Sequence, residues 1–483
     1  MAEQREAEIG AGSAPGGRKK RKSERPPQSA ADASFNQALE RHRKGDLERA
    51  ETLYRAAIQA DPTNASAWSN LGVLYRNTDR LEASVAVNRK AVELAPDRAA
   101  LRNNLANALH DSGRFAAAEP YRRALLIEDP TNPLRLRDLA ATLRAIDRHE
   151  DVITLVDAAE ADGVADEECR LQRGFSNLML GRYRAGFADF EARFAGGEVT
   201  LPKLALPRWT GGPVEGKRVL VTAEQGFGDA VLMARFLPRL KAMGAHVTLF
   251  AKRPLRRLFS GLEGVDAVVE RVEAGSQFDL FTPNMSLPHL VGMPEDAPPP
   301  APRLTVPEDS RARAAELVAP FRDRFRIGIV WTGSLTYRGN RRRSVTPEHF
   351  LGLAAMPGVQ LFSLYKGDAH ADFLASGAAG AIVDACGADR DFADSAAVAE
   401  AMDLMITTDT GIVHVAASLG LPVWNLLSAE GFWLYGRGER TPWYPSMRLF
   451  RQARMGEWGE LFARVEAAVE AERAARDGAG GGA

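Results

Sequence analysis

The sequence predicts an α-helical solenoid followed by two parallel α/β halves that face each other across a cleft. Three observations carry this reading. A 34-residue period runs through residues 34–200, strand-like and helix-like runs alternate after it, and a proline-rich stretch interrupts that alternation.

At 483 residues the chain has room for two to four domains of ~150 residues each. Its 45% hydrophobic and 26% charged residues are those of an ordinary globular protein. With 62 basic against 63 acidic residues the net charge is −1, so no whole-chain electrostatics favour a nucleic-acid partner. Cys169 and Cys386 stand alone, which excludes a disulfide scaffold and a cysteine-built zinc site. The best apolar run, 413–427, is broken by Ser418, Gly420, Pro422 and Asn425 and falls short of the ~20 residues of a membrane span. No secretory leader pattern opens the chain, so the expected location is cytoplasmic. Residues 1–33 read as a disordered tail. Its basic run at 18–22 is balanced by Glu3, Glu6, Glu8, Glu24 and Asp32, which favours a solvated segment over a nucleic-acid or membrane contact. The end at 476–483 is likewise expected to be a disordered tail.

Three series share the period. Pro62, Pro96 and Pro130 end successive repeats; Gly45, Asp79, Gly113, Asp147 and Gly181 open tight turns; and Ala38, Gly72, Ala106, Ala140 and Gly174 are small residues where helices cross. A helix–turn–helix of this length with these markers is the tetratricopeptide pattern, and about five repeats cover 34–200. Each buries its apolar stripe on its neighbours and leaves a concave inner face. A fourth series at the same spacing is polar: Asn70, Asn104, Asp138 and Gln172. An amide both donates and accepts, so a ladder of amides can hold any extended backbone. The alternative use of such a stack is as a rigid or dimerising scaffold.

Beyond residue 200, strands are expected at 218–223, 246–251, 265–270 and 278–283, with helices at 229–243 and 253–262. Six prolines among the fourteen residues 294–307 mark a linker between halves at 201–307 and 308–475. The pattern resumes with strands at 326–331, 359–365, 381–385, 404–408 and 422–427, and helices at 347–355, 391–402 and 410–420; a final helix is expected at 456–475. In such halves ligands settle at the carboxyl ends of the strands.

Two loops occupy those ends. Glu224-Gln225-Gly226-Phe227-Gly228-Asp229 follows the first strand and opens a helix; Gly226 and Gly228 allow a tight turn and close backbone approach. Asp229 there either caps the helix or accepts a proton from an attacking hydroxyl. Neither G-x-G-x-x-G nor G-K-[ST] is present, which argues against a dinucleotide enzyme and a P-loop ATPase. The second loop, Asp409-Thr410-Gly411 with His414 one turn on, offers backbone N–H groups to an anion. Arg341, Arg342, Arg343 and Ser344 follow one strand and Lys366 another, which surrounds that anion site with positive charge. No cluster with zinc spacing stands near the cleft, so no metal is expected.

These motifs, with Trp443-Tyr444-Pro445-Ser446-Met447-Arg448-Leu449-Phe450, resemble bacterial glycosyltransferases fused to tetratricopeptide repeats. Their catalytic halves are similar to the heptosyltransferase type and more distantly to O-GlcNAc transferase. The resemblance implies a GT-B fold and metal-independent transfer from a nucleotide sugar, which serves as co-substrate with no bound cofactor. It implies Asp229 as base and a donor site of Gly226, Gly228, Asp409, Thr410, Gly411, His414, Lys366, Ser344 and one of the three arginines, Arg343 being the family's match. In O-GlcNAc transferase an asparagine ladder grips peptide, which implies a protein acceptor on Asn70, Asn104, Asp138 and Gln172. Some proteins of this tandem build modify flagellin with nonulosonic acids from CMP-sugars. Two other readings fit the same residues: a catalytically idle scaffold, and a transferase acting on a glycan.

Overall fold

The computed structural model describes residues 29–195, 199–224, 226–272, 277–294, 297–337 and 339–480. The basic run at 18–22 lies outside them. The chain forms two compact units, one ending at Gln172 and the other starting at Arg173.

The first unit is a series of helical hairpins. Its helices are α1 (Ala30–Arg43), α2 (Leu47–Ala60), α3 (Ala65–Asn77), α4 (Leu81–Leu94), α5 (Ala99–Asp111), α6 (Phe115–Glu128), α7 (Pro133–Ala145), α8 (His149–Ala161) and α9 (Glu167–Met179). The expected tail therefore stops earlier than 33, because the Ser29 side chain accepts the Asp32 N–H and starts α1 at Ala30. The turn series has a common backbone cause. Gly45, Asp79, Gly113, Asp147 and Gly181 all sit at φ between 64° and 77°, the left-handed conformation that ends the first helix of each hairpin. Asp79 and Asp147 are the only non-glycine residues at positive φ among the described residues. The small series marks helix crossings: Ala38, Ala106 and Ala140 are fully buried, and a Cβ on Gly72 would fall 2.2 Å from Asn88 Nδ2. Between the crossings, Tyr54, Ala67, Leu71 and Leu74 form one core cluster and Leu136, Leu139, Leu143, Val152 and Val156 another. Truncating one such leucine to alanine costs about 2–5 kcal/mol.

The division falls inside α9, so its last turns and α10 (Tyr183–Phe190) pack in the second unit. That unit holds two sheets. The first has strand order β3-β2-β1-β4, all parallel, from β1 (Arg218–Thr222), β2 (His246–Phe250), β3 (Ala267–Val269) and β4 (Leu280–Pro283). The second has order β10-β11-β9-β8-β5-β6-β7, from β5 (Phe325–Val330), β6 (Val359–Ser363), β7 (Ile382–Asp384), β8 (Leu404–Thr408), β9 (Val423–Leu427), β10 (Arg440–Thr441) and β11 (Tyr444–Arg451). Among the described strands of this sheet only the β10–β11 pair is antiparallel. Val219, Val221, Ile327, Ile329, Ile406 and Leu426 are fully buried, as strands covered on both faces require.

Several helices differ from expectation. The stretch 229–243 is α11 (Phe227–Met233), a 3-10 turn and α12 (Leu237–Ala242), which begins Leu237-Pro238. No α-helix forms at 253–262, where Pro254 and the left-handed Gly261 leave only turns. The 347–355 stretch is likewise a 3-10 turn and one short helical turn. After the proline-rich segment comes α13 (Glu308–Val318), which the alternation did not mark. The second half continues with α14 (Phe392–Glu400), α15 (Gly411–Ser418) and α16 (Trp458–Gly480), the last running past its expected end. No described helix is long and apolar enough to cross a membrane.

Candidate active site

The two loops meet. The loop after β1 feeds α11, and the loop after β8 feeds α15; their first turns touch at Gly228 and Gly411. A Cβ on Gly228 would lie 2.6 Å from His414 Cδ2 and 3.2 Å from Gly411 Cα, so only glycine allows this approach. Phe227 and Phe392 pack beside it with ring centroids 5.1 Å apart, which joins α11 to α14. Thr410 is the N-cap residue of α15 in extended conformation, and its side chain makes no capping bond. It meets Thr407 Oγ1 at 3.2 Å instead, so no Thr410 side-chain oxygen caps the first turn of α15, where the Val413 N–H donates to the Thr410 carbonyl at 3.1 Å.

Asp229 stands in the first turn of α11 and accepts the Gly226 N–H at 2.8 Å through Oδ2. Burial pushes its carboxyl up to about 6, the charges of Asp409 and Glu224 add to the rise, and the Gly226 N–H opposes it. Asp409 has both oxygens engaged. Oδ1 accepts from the Tyr435 hydroxyl at 2.6 Å and Oδ2 pairs with Arg343 Nη1 at 3.5 Å. Its carboxylate thus ties Arg343 to the loop that opens α15. His414 is buried, its Nδ1 3.1 Å from the Tyr444 hydroxyl, and burial lowers its pKa to about 4. The ring is neutral at pH 7.

Of the three arginines, the structure turns Arg343 to the site. Its guanidinium stacks 4.8 Å over Tyr337 and reaches Asp409, while Arg342 pairs with Glu430 at 3.2 Å and Arg341 is exposed. Ser344 shapes the loop that carries them: its hydroxyl donates to the Asn340 carbonyl at 2.6 Å and meets Thr332 Oγ1 at 2.8 Å. Lys366 is exposed after β6 and donates to the Asp389 carbonyl. Among the described residues no group of three His, Cys, Asp or Glu side chains is placed to hold a metal ion.

The polar ladder lies on α3, α5, α7 and α9, the first helix of each hairpin. Asn70 and Asn104 are buried, and Asn104 Nδ2 donates to Ser69 Oγ at 2.9 Å. Asp138 pairs with the buried Arg122 at 3.1 Å, and Gln172 Oε1 accepts from Arg144 Nε at 3.1 Å. Three of the four are thus already bonded within the stack.

Sequence reasoning missed three groups beside the loops. Tyr435 holds Asp409; Arg235, 3% exposed, stacks on Tyr444 at 4.8 Å; and Arg193 binds Glu224. Each acts across dozens of residues, so no local spacing announces it. The run Trp443-Tyr444 was the one visible hint.

Profiles of the tetratricopeptide repeat match residues 35–99 and 89–133, and that of glycosyltransferase family 9 (heptosyltransferase) matches residues 361–430. Matches to tetratricopeptide repeats and to a family 9 glycosyltransferase profile thus stand in one chain. The family 9 match runs from β6 past β9 and takes in Lys366, Asp409, Thr410, Gly411 and His414. Protein FlbA of Caulobacter vibrioides is 28% identical over 444 residues, covering 86% of this chain and 68% of FlbA. The STIP1 homolog of Dictyostelium discoideum is 36% identical over 87 residues, 18% of this chain and 15% of its own. Among solved structures, a family 9 glycosyl transferase from Veillonella parvula aligns with 13% identity and TM-score 0.40, covering 50% of this chain and 88% of its own. YrrB, described as a tetratricopeptide protein with an unusual peptide-binding site, aligns with 15% identity and TM-score 0.31 over 34% of this chain and 85% of its own.

Proposed function

We propose that this glycosyltransferase moves a sugar from a nucleotide-sugar donor to a Ser or Thr hydroxyl of a protein held by the repeats, with Asp229 as general base. The observation that carries the proposal is the meeting of α11 and α15 at Gly228 and Gly411. It brings a carboxylate of raised basicity close to a helix N-terminus that favours a departing phosphate. The acceptor oxygen bonds to the anomeric carbon, and its proton passes to Asp229. The bond from that carbon to the phosphate oxygen breaks, and the phosphate keeps the electron pair. First-turn N–H groups of α15 and the Arg343 guanidinium stabilise its charge. The positive charge comes from these groups, so the proposed step calls for no metal.

The proposed donor is a CMP-nonulosonic acid and the proposed acceptor flagellin, met in the cytoplasm. The tandem of repeats and transferase supports this choice. In the proposed capture, the acceptor backbone exchanges with the bonds that Asn104, Asp138 and Gln172 make within the stack.

Asp229→Asn tests the base. Its amide oxygen can still cap Gly226, so CMP binding is expected to stay near wild type while kcat falls about 10²–10⁴-fold. Wild-type turnover in this variant removes Asp229 from the mechanism.

A further inference from the structure

Glu224, at the start of the loop that carries Asp229, is held by a buried guanidinium. Arg193 lies in the 3-10 turn Glu191–Phe194, directly after α10. Its Nε and Nη2 donate to the two Glu224 oxygens at 2.7 and 2.9 Å. Nη2 also reaches Ser286 Oγ at 2.8 Å, and Nη1 reaches the Phe190 carbonyl at 3.0 Å and Glu191 Oε1 at 2.7 Å. Every N–H of the guanidinium is used. Its carbon lies 4.0 Å from the centre of the Phe194 ring and 4.6 Å from that of Phe190, and the residue is 3% exposed. The backbone N–H of Glu224 donates to Asn284 Oδ1 at 3.0 Å, so the loop is anchored on both sides of its first residue.

We propose that Arg193 is a positioning residue for Asp229, acting through the carboxylate of Glu224. A buried ion pair is a weak stability device, because an apolar pair of the same volume serves a core as well. Its position suggests another use. Two carboxylates act on Asp229, and each has its own guanidinium: Glu224 has Arg193, and Asp409 has Arg343. Other titratable groups on the packed elements include the neutral His414 on α15, Tyr444 with Arg235 stacked on it, and Lys252 over the Phe227 ring. Arg193 thus fixes where the loop starts and limits how much negative charge Asp229 meets.

The proposal rests on Asp229 being the base, and its test separates the two. The full chain, labelled with carbon-13 at the aspartate carboxyls, is titrated by NMR, with Asp229→Asn identifying the resonance. Arg193→Met is expected to raise the Asp229 midpoint by about half a pH unit or more, because Glu224 then loses the guanidinium that offsets its charge. Glu224→Gln is expected to lower the midpoint, and the double variant to return it to the wild-type value or below. Glu224→Gln keeps an acceptor for Arg193, so it decides the question if Arg193→Met does not fold. Midpoints within about 0.2 unit of wild type in the folded variants overturn the inference. Wild-type turnover of Asp229→Asn instead overturns the base, and the proposed role of Arg193 with it.

Discussion

Asp229 is a carboxylate whose environment favours its protonated form, which gives it basicity and costs the fold stability. With its pKa near 6, kcat/KM should be flat above pH 7 and fall tenfold per unit below about pH 6, as a pH–rate profile reads. The same shift sets a sign for stability. The folded value lies above the unfolded 3.8, so the native state holds the proton more tightly and loses stability as pH rises from about 4 to 6. Asp229→Asn is therefore expected to be more stable than wild type by about 1–3 kcal/mol at pH 7, a gain that vanishes below pH 4 in chemical denaturation. Arg343→Ala should weaken CMP binding about tenfold or more, since it removes the cation facing α15; calorimetry measures it. The placement of Asp229, Asp409 and Gly228 at strand-to-helix loops was legible because strand–glycine–helix loops are local patterns. Arg193, Tyr435 and Arg235 were not, because Glu224 and Asp409 lie 31 and 26 residues from the first two, and the Trp443 carbonyl to which Arg235 donates lies 208 away.

At the scale of elements, the repeats were read from periodicity because each position in the period has one physical task. Gly45 and Gly72 separate two such tasks. Gly45 sits at φ 77° with nothing within 4 Å of an added Cβ, so Gly45→Ala should cost only the backbone term, about 1 kcal/mol. Gly72 has Asn88 in the way, so Gly72→Ala should cost about 1–3 kcal/mol through overpacking. Thermal unfolding of the two variants checks the order. The strands of both sheets were legible as short apolar runs with turn signals. The failed helix at 253–262 shows the limit. Pro254, Gly261 and Gly264 are helix breakers on their own, and Gly264 passes where a Cβ would fall 2.4 Å from Pro238 N, a contact invisible in sequence.

At the scale of the whole molecule, the division at Gln172 rather than near 200 changes how the parts can be separated. A chain starting at residue 201 loses Arg193 and with it both bonds from that guanidinium to the buried Glu224, at a cost of about 3–5 kcal/mol. One starting at Gly163 keeps α9, α10 and that pair. It should bind CMP as the full chain does and fail to modify a protein acceptor, which binding and transfer assays on one preparation can read. The central claim is transfer to protein by Asp229. Intact-mass spectrometry of flagellin incubated with a CMP-nonulosonic acid and the full chain tests it most directly. The account predicts whole-sugar mass increments on flagellin with wild type and none with Asp229→Asn, which still binds CMP. Unmodified flagellin beside sugar transferred to a glycan, or full modification by Asp229→Asn, would contradict it.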